Sequence, residues 1–319
     1  MPYYKKWITA LFSYLYKDKL HIKTMRNTPY ASGLLGPFIR FYRYVFGVSM
    51  RIRYIKNWYS YYLVRIGFLN STDIKFWNGN QVLNYTKDKP ILPPLLPLFN
   101  LKQVSNPEEK YLLRFKDFRF FIKQTTEASA IIETFIREQY SRLTVKNRVV
   151  VDIGANVGDS AIYFAARGAK RIYSFEPYTY SFKLAVENIK LNNLTRKIKL
   201  LNEAVDGKRG KIRIPITFVN TAGSSLKSFD IGKTILVVKL EDIVKKYKLK
   251  DALLKMDCEG SEYAILLGSN RNTLRTFNQI VVECHKGYLN IEKKLKETGF
   301  EVKHTLPYNK TNILWATRI

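Results

Sequence analysis

Three consecutive valines open Val149–Ile153, and a β-branched run with no polar face predicts a strand buried on both sides of a parallel sheet. Similar short apolar runs recur at Arg171–Phe175, Ile198–Val205, Asp251–Met256 and Ile280–His285. Helical spacing separates them: residues 161–167 follow the first run, and Phe182, Ala185, Val186 and Ile189 mark one face before Asn192 and Asn193 end it. Alternating strands and helices predict an α/β fold with a mostly parallel sheet. Upstream, Tyr111–Ile122 reads as a hairpin turning near Lys116 and Asp117, and Ala130, Ile131, Thr134, Phe135 and Glu138 then follow helical periodicity up to Tyr140. Lys211–Phe218 and Ile235–Lys239 form a β-rich excursion around the small-residue loop 220–225, a loop type that often covers an entrance. Phe300–His304 and Ile313–Thr317 predict a terminal antiparallel pair.

The first 100 residues differ in composition. They hold 15 Lys/Arg against three acids, a net charge of +12 out of +28 for the 319-residue chain. Phe38–Tyr44 mixes aromatic and basic residues, and Ile52, Ile55, Tyr59, Tyr62, Leu63 and Ile66 fall at helical spacing among Arg51, Lys56 and Arg65. Pro90, Pro93, Pro94 and Pro97 stiffen the stretch that follows. The expected organisation is a helical aromatic and basic extension over 1–105, with a Pro-rich linker at about 90–100, and a second domain over 106–319.

Charge alone predicts attraction to something anionic, whether nucleic acid, lipid headgroups or a phosphorylated molecule. Aromatics interleaved with Lys and Arg favour an anionic membrane surface bound through residues 1–70, although packing on the main domain would use the same face. No uncharged apolar run reaches about 18 residues, so no ordinary transmembrane helix is expected. Trp7–Tyr16 lacks a small-residue cleavage site and runs into Lys17, Asp18 and Lys19, so an amphipathic or packed helix is expected rather than a signal peptide. The expected location is cytoplasmic, with peripheral attachment to the inner face of the membrane. Cys258 and Cys284 have no zinc-finger spacing and are expected as buried free thiols.

The chemistry gathers where the first strand breaks into Gly154-Ala-Asn156-Val-Gly158, ahead of a helix that Asp159 or Ser160 could cap. A glycine turn feeding a helix N-terminus suits an anionic group. The dinucleotide pattern Gly-x-Gly-x-x-Gly is not met, which weakens a nicotinamide or flavin reading. The stretch instead resembles the first motif of class I S-adenosylmethionine (SAM) methyltransferases, with Asp152 as its acid. Glu176, at the end of the second strand, is placed to accept ribose hydroxyls, and the third strand ends at Asn202, Glu203 and Ala204, where that class contacts adenine.

Asp152–Gly158, Phe175-Glu-Pro177, Gly223-Ser-Ser-Leu226, Leu254–Glu262 and Val282-Glu-Cys-His285, in this order, resemble the FkbM family of SAM-dependent methyltransferases. The resemblance spans roughly residues 108–319. It implies a Rossmann-like seven-stranded sheet and O-methylation of a sugar, glycan, glycolipid or natural-product hydroxyl. The expected cofactor-binding residues are Asp152, Gly154, Asn156, Gly158, Asp159, Glu176, Asn202, Ala204 and Asp257. Strand ends on the carboxyl side should bring Asp257, Glu259, Glu283 and His285 to the transferred methyl. His285 is the first choice of base, since an ordinary imidazole keeps a useful neutral fraction at pH 7. No residue is assigned to a metal, although acidic strand ends could hold a divalent ion. A nucleic-acid methyltransferase is the alternative raised by the charge. Base methylation is disfavoured because the fourth strand ends in Asp257-Cys-Glu-Gly, not an Asp/Asn-Pro-Pro-aromatic turn, so an RNA ribose is the surviving form of that alternative.

Overall fold

The computed structural model describes residues 55–75, 81–86, 100–103, 110–123, 125–217, 226, 228–305 and 312–319. Its centre is a seven-stranded sheet of β1 (Val149–Ile153), β2 (Arg171–Phe175), β3 (Ile198–Leu201), β4 (Ala252–Met256), β5 (Phe277–Cys284), β6 (Phe300–His304) and β7 (Asn312–Arg318). The order across the sheet is β6-β7-β5-β4-β1-β2-β3. The five strands from β5 to β3 are parallel, and β7 runs antiparallel between β5 and β6, as the terminal pair predicted.

Successive side chains of a strand point to opposite faces, so a strand with no polar face must be covered twice. Val150, Ile172, Leu253 and Val281 join one apolar cluster, and their neighbours Val151, Leu254, Ile280 and Val282 join another. Burying each such side chain contributes roughly 1.5–3 kcal/mol. Around the sheet run α1 (Thr125–Phe135), α2 (Asp159–Ala166), α3 (Thr179–Leu191), α4 (Glu262–Gly268) and α5 (Leu289–Thr298).

The stretch read as one third strand, Ile198–Val205, divides. Ile198–Leu201 stays in the large sheet, whereas Ala204–Val205 pairs with Lys233–Val238, itself antiparallel to Gly210–Ile214. This is the β-rich excursion; its loop 220–225 lies outside the described residues.

The extension over 1–105 is only partly helical where it is described. One helix, Trp58–Arg65, is followed by strands Ser71–Lys75 and Gln81–Thr86, and then by Asn100–Gln103. That last strand pairs with Tyr111–Phe115 of the hairpin, so a boundary near 105 would cut a three-stranded sheet; residues 54–319 instead form one compact unit. The expected apolar face also differs. Helix formation begins only at Trp58, and it buries Tyr61 and Val64, while Tyr59 and Ile66 are exposed. Phe38–Tyr44, Trp7–Tyr16 and the prolines at 90–97 lie outside the described residues.

Candidate active site

At the carboxyl end of β1 the chain must turn under the end of β4, and only glycine fits. Gly154 has φ +81°, and a Cβ there would stand 1.8 Å from the carbonyl oxygen of Asp257. The N–H groups of Gly154 and Ala155 both donate to Phe175 O at 3.0 Å, which ties the turn to β2. Gly158, at φ +85°, is the cap residue of α2. Neither Asp159 nor Ser160 caps the helix: Ser160 Oγ donates to Asp152 Oδ2 at 2.9 Å, and Asp159 Oδ2 accepts from Thr134 Oγ1 at 2.6 Å.

Lys255 explains what holds this turn. Its ammonium, 1 % exposed, lies 3.1 Å from Asp152 Oδ1 and donates to Gly154 O at 2.6 Å. Asp152 Oδ2 also accepts from Ser174 Oγ at 3.1 Å. The first-motif acid is therefore consumed beneath the turn by a lysine on the neighbouring strand, and it does not line the cleft above.

That cleft, about 380 Å³, is lined by Gly154, Asn156, Glu176, Ala204, Asp257, Glu259, Glu283 and His285 among others. Asp152, Gly158, Asp159 and Asn202, expected with the cofactor group, are not on its wall. Asn202 is used structurally: its Nδ2 donates to Glu176 O and Pro177 O, and its Oδ1 accepts from Lys233 Nζ. Glu176 is 5 % exposed, and each carboxylate oxygen accepts one backbone N–H, from Asn156 at 2.8 Å and Tyr178 at 2.9 Å. Burial lifts its carboxyl to about 7 despite those donors. Each oxygen retains a lone pair, which a vicinal diol could meet. Leu226, next to the loop 220–225, also lines the cleft.

The other end gathers around His285. Its Nε2 is 3.2 Å from Glu259 Oε2, 3.8 Å from Asp257 Oδ1 and 4.0 Å from Glu283 Oε1. Its Nδ1 is 2.9 Å from Oε1 of the fully buried Glu262, whose Oε2 accepts the Gly260 N–H. Burial alone would lower the imidazole pKa, but the Glu262 hydrogen bond and the charges of Asp257 and Glu259 outweigh it and push it up to about 9. An imidazolium at pH 7 is a poor proton acceptor, which removes the basis for His285 as first choice of base. Glu283 has its Oε2 held by Gln139 Nε2 at 2.8 Å, and burial followed by the Asp257 charge lifts its carboxyl to about 7.

Several contributors escaped the sequence reading. Glu127 and Glu133 also line the cleft, which with Glu203 at the end of the third strand holds seven carboxylates and, among the described residues, no Lys or Arg. Glu127 and Glu133 lie on α1, upstream of every quoted motif, so only periodicity could have placed them. Glu262 and Lys255 stood inside the Leu254–Glu262 motif, but His285 and Asp152, the groups they hold, come from distant parts of the sequence.

Residues 152–302 match the family model described as methyltransferase FkbM domain. A Methanocaldococcus jannaschii chain named for protein N5-glutamine methylation is 46% identical over 50 residues, which are 16% of this chain and 25% of that one, so the match spans a quarter of the relative's length. Among solved structures, M. capricolum TrmK with S-adenosylhomocysteine aligns at 12% identity and TM-score 0.39, covering 58% of this chain and 68% of that one. The Precorrin-6y C5,15-methyltransferase of Geobacter metallireducens aligns at 14% identity and TM-score 0.36, covering 62% and 90%. The ribosomal protein L11 methylase of Lactobacillus delbrueckii subsp. bulgaricus gives 17% identity and TM-score 0.36, covering 62% and 80%. The family match runs from Asp152 under the glycine turn to Val302 in the terminal pair, so residues 152–302 are similar to the methyltransferase domain of the FkbM family.

Proposed function

We propose that this chain methylates a hydroxyl of a sugar, glycan or glycolipid acceptor. The observation that carries the reading is one cleft with two chemically distinct ends: a glycine turn beside a buried, backbone-held Glu176, and a carboxylate and imidazole set at the ends of β4 and β5. The cleft residues fit SAM, whose ribose diol would meet Glu176 and whose positive charges suit a wall of seven carboxylates. When bound, SAM supplies an electrophilic methyl on a sulfonium.

SAM held there would supply the methyl to the acceptor oxygen, its sulfur keeping the bonding pair as S-adenosylhomocysteine, and the hydroxyl proton would pass to a carboxylate. Glu283 is assigned that role because it lines the cleft with one oxygen fixed by Gln139 and the other facing the His285 group. Asp257 and Glu259 orient the acceptor through hydroxyl hydrogen bonds. The same wall repels phosphates, which weighs against an RNA ribose despite the net charge of +28.

Residues 1–70 are proposed to hold the enzyme on an anionic membrane surface. Support comes from Tyr59, Ile66 and Phe68, exposed beside Lys56 and Arg65. The test incubates the full chain with SAM carrying a carbon-13 methyl and separate pools of glycans, glycolipids, RNA and protein. Label in a glycan or glycolipid oxygen ether is expected. Label confined to RNA, or to protein amide nitrogen as in the name of the archaeal relative, would overturn the reading.

A further inference from the structure

The arrangement around His285 does more than place an acceptor. Asp257, Glu259 and His285 each bring one ligand-type atom within 4.8 Å of the other two, and all three line the cleft. The two ring nitrogens of His285 have different surroundings. Nδ1 meets Glu262, 0 % exposed and itself fixed by the Gly260 N–H; Nε2 faces Glu259 and Asp257. A buried carboxylate that accepts the Nδ1 proton selects the tautomer with its lone pair at Nε2, aimed at the two acids. Ligating histidines are commonly oriented this way.

Charge balance points in the same direction. Asp257, Glu259, Glu262 and Glu283 surround one imidazole, and the cleft wall adds no Lys or Arg among the described residues. A protonated His285 would cancel one charge of that set. A divalent cation would cancel two.

We propose that Asp257, Glu259 and Nε2 of His285 bind a divalent cation, with its remaining coordination positions open to the cleft. Two oxygens and one imidazole nitrogen suit Mn²⁺ or a neighbouring first-row ion, since imidazole favours transition metals over calcium. Asp257 and Glu259 belong to both the cation site and the proposed reaction, but cation binding itself is measurable without methyl transfer. Only its use there, drawing the acceptor hydroxyl into place and lowering its pKa, rests on the hydroxyl-methylation reading.

The test is Mn²⁺ titration of the full chain by electron paramagnetic resonance, after treatment with a chelator and its removal. One Mn²⁺ per chain is expected to leave the free-ion signal. His285→Gln and Glu259→Gln should each weaken binding at least tenfold while retaining the wild-type thermal melt. Glu262→Gln, which disturbs the orientation of the imidazole without removing a ligand, should weaken it about tenfold to a hundredfold. A free-ion signal unchanged by the protein overturns the proposal, as does wild-type Mn²⁺ affinity in either ligand variant. Neither result depends on methyl transfer, so failure of the cation site and failure of the acceptor reading are separable.

Discussion

Replacing Lys255 with methionine tests whether the turn under the cleft is held by one buried ion pair. Methionine keeps the length and apolar stem of the side chain and deletes the ammonium, which lies 3.1 Å from Asp152 Oδ1 and 2.6 Å from Gly154 O. Asp152 would then be fully buried with only the hydroxyls of Ser160 and Ser174 on Oδ2, and no hydrogen bond in the structure reaches Oδ1. Removing one partner of a buried pair typically costs about 3–5 kcal/mol, because the remaining charge is neither solvated nor paired. That is a large share of the roughly 5–15 kcal/mol that keeps a domain folded.

Asp152→Asn should be costly for the reciprocal reason, whereas the double variant strands neither charge. Urea denaturation of the three variants and the parent closes a double-mutant cycle, in which the double variant should be more stable than the sum of the singles by about 1–3 kcal/mol. Because Lys255 also holds the Gly154 carbonyl, calorimetry on the folded single variant should show weakened S-adenosylhomocysteine binding. A loss below about 1 kcal/mol for Lys255→Met, together with additive singles, would refute the claim that the pair acts as one unit.

Gly154→Ala places a Cβ 1.8 Å from Asp257 O at φ +81°, so the variant should melt well below the parent and lose S-adenosylhomocysteine binding; a native melt would show that the strand ends can separate cheaply. Glu176 has its carboxyl lifted to about 7, and a ribose diol would donate to its ionised form, so cofactor binding should release a proton. S-adenosylhomocysteine affinity should therefore fall as pH drops below about 7 and level off above it; calorimetry in buffers of different ionisation enthalpy measures the proton, and Glu176→Gln should abolish both effects. Ile66→Ser with Phe68→Ser removes exposed apolar contacts, 71% and 78% accessible, and should reduce flotation with anionic vesicles while leaving the thermal melt unchanged. Undiminished flotation would detach this patch from membrane binding.

The sheet was legible because the information that builds it is local. A run such as Val149–Ile153 has no solvated face to offer, and its two apolar clusters are the consequence. The glycine turn was equally readable, since positive φ at Gly154 and Gly158 follows from a sharp strand-to-helix reversal. Side-chain direction at that turn was not. Asp152 pairs in register with Lys255, 103 positions later, and no short-range pattern announces that a lysine on β4 will consume the acid. The same limit hid Asn202, whose amide was free to face adenine until two carbonyls of the 176–177 bend claimed it. The misread face near residue 60 has a different origin: Ile55 shares helical spacing with Tyr59, but the helix that holds Tyr59 begins only at Trp58.

Net charge also misleads when it is read for the whole chain. A total of +28 suggested nucleic acid, yet the cleft wall is acidic and the basic excess lies elsewhere. The two fields act on different groups. Basic residues facing solvent attract a charged surface over about a Debye length, roughly 8–10 Å near physiological salt, and that attraction weakens as salt rises. Carboxylates inside a concave, partly dry wall are screened much less, and they act on whatever group reaches the cleft. An acceptor that satisfies both must carry its anionic part outside and present a neutral or cationic part to Glu283 and His285. A lipid-linked glycan has this division, with phosphate at the membrane and hydroxyls several bonds away; an RNA strand, with a phosphate beside every ribose, does not. Salt should accordingly weaken turnover of a vesicle-borne acceptor much more than binding of S-adenosylhomocysteine, and equal sensitivity of the two would place both charges in one site.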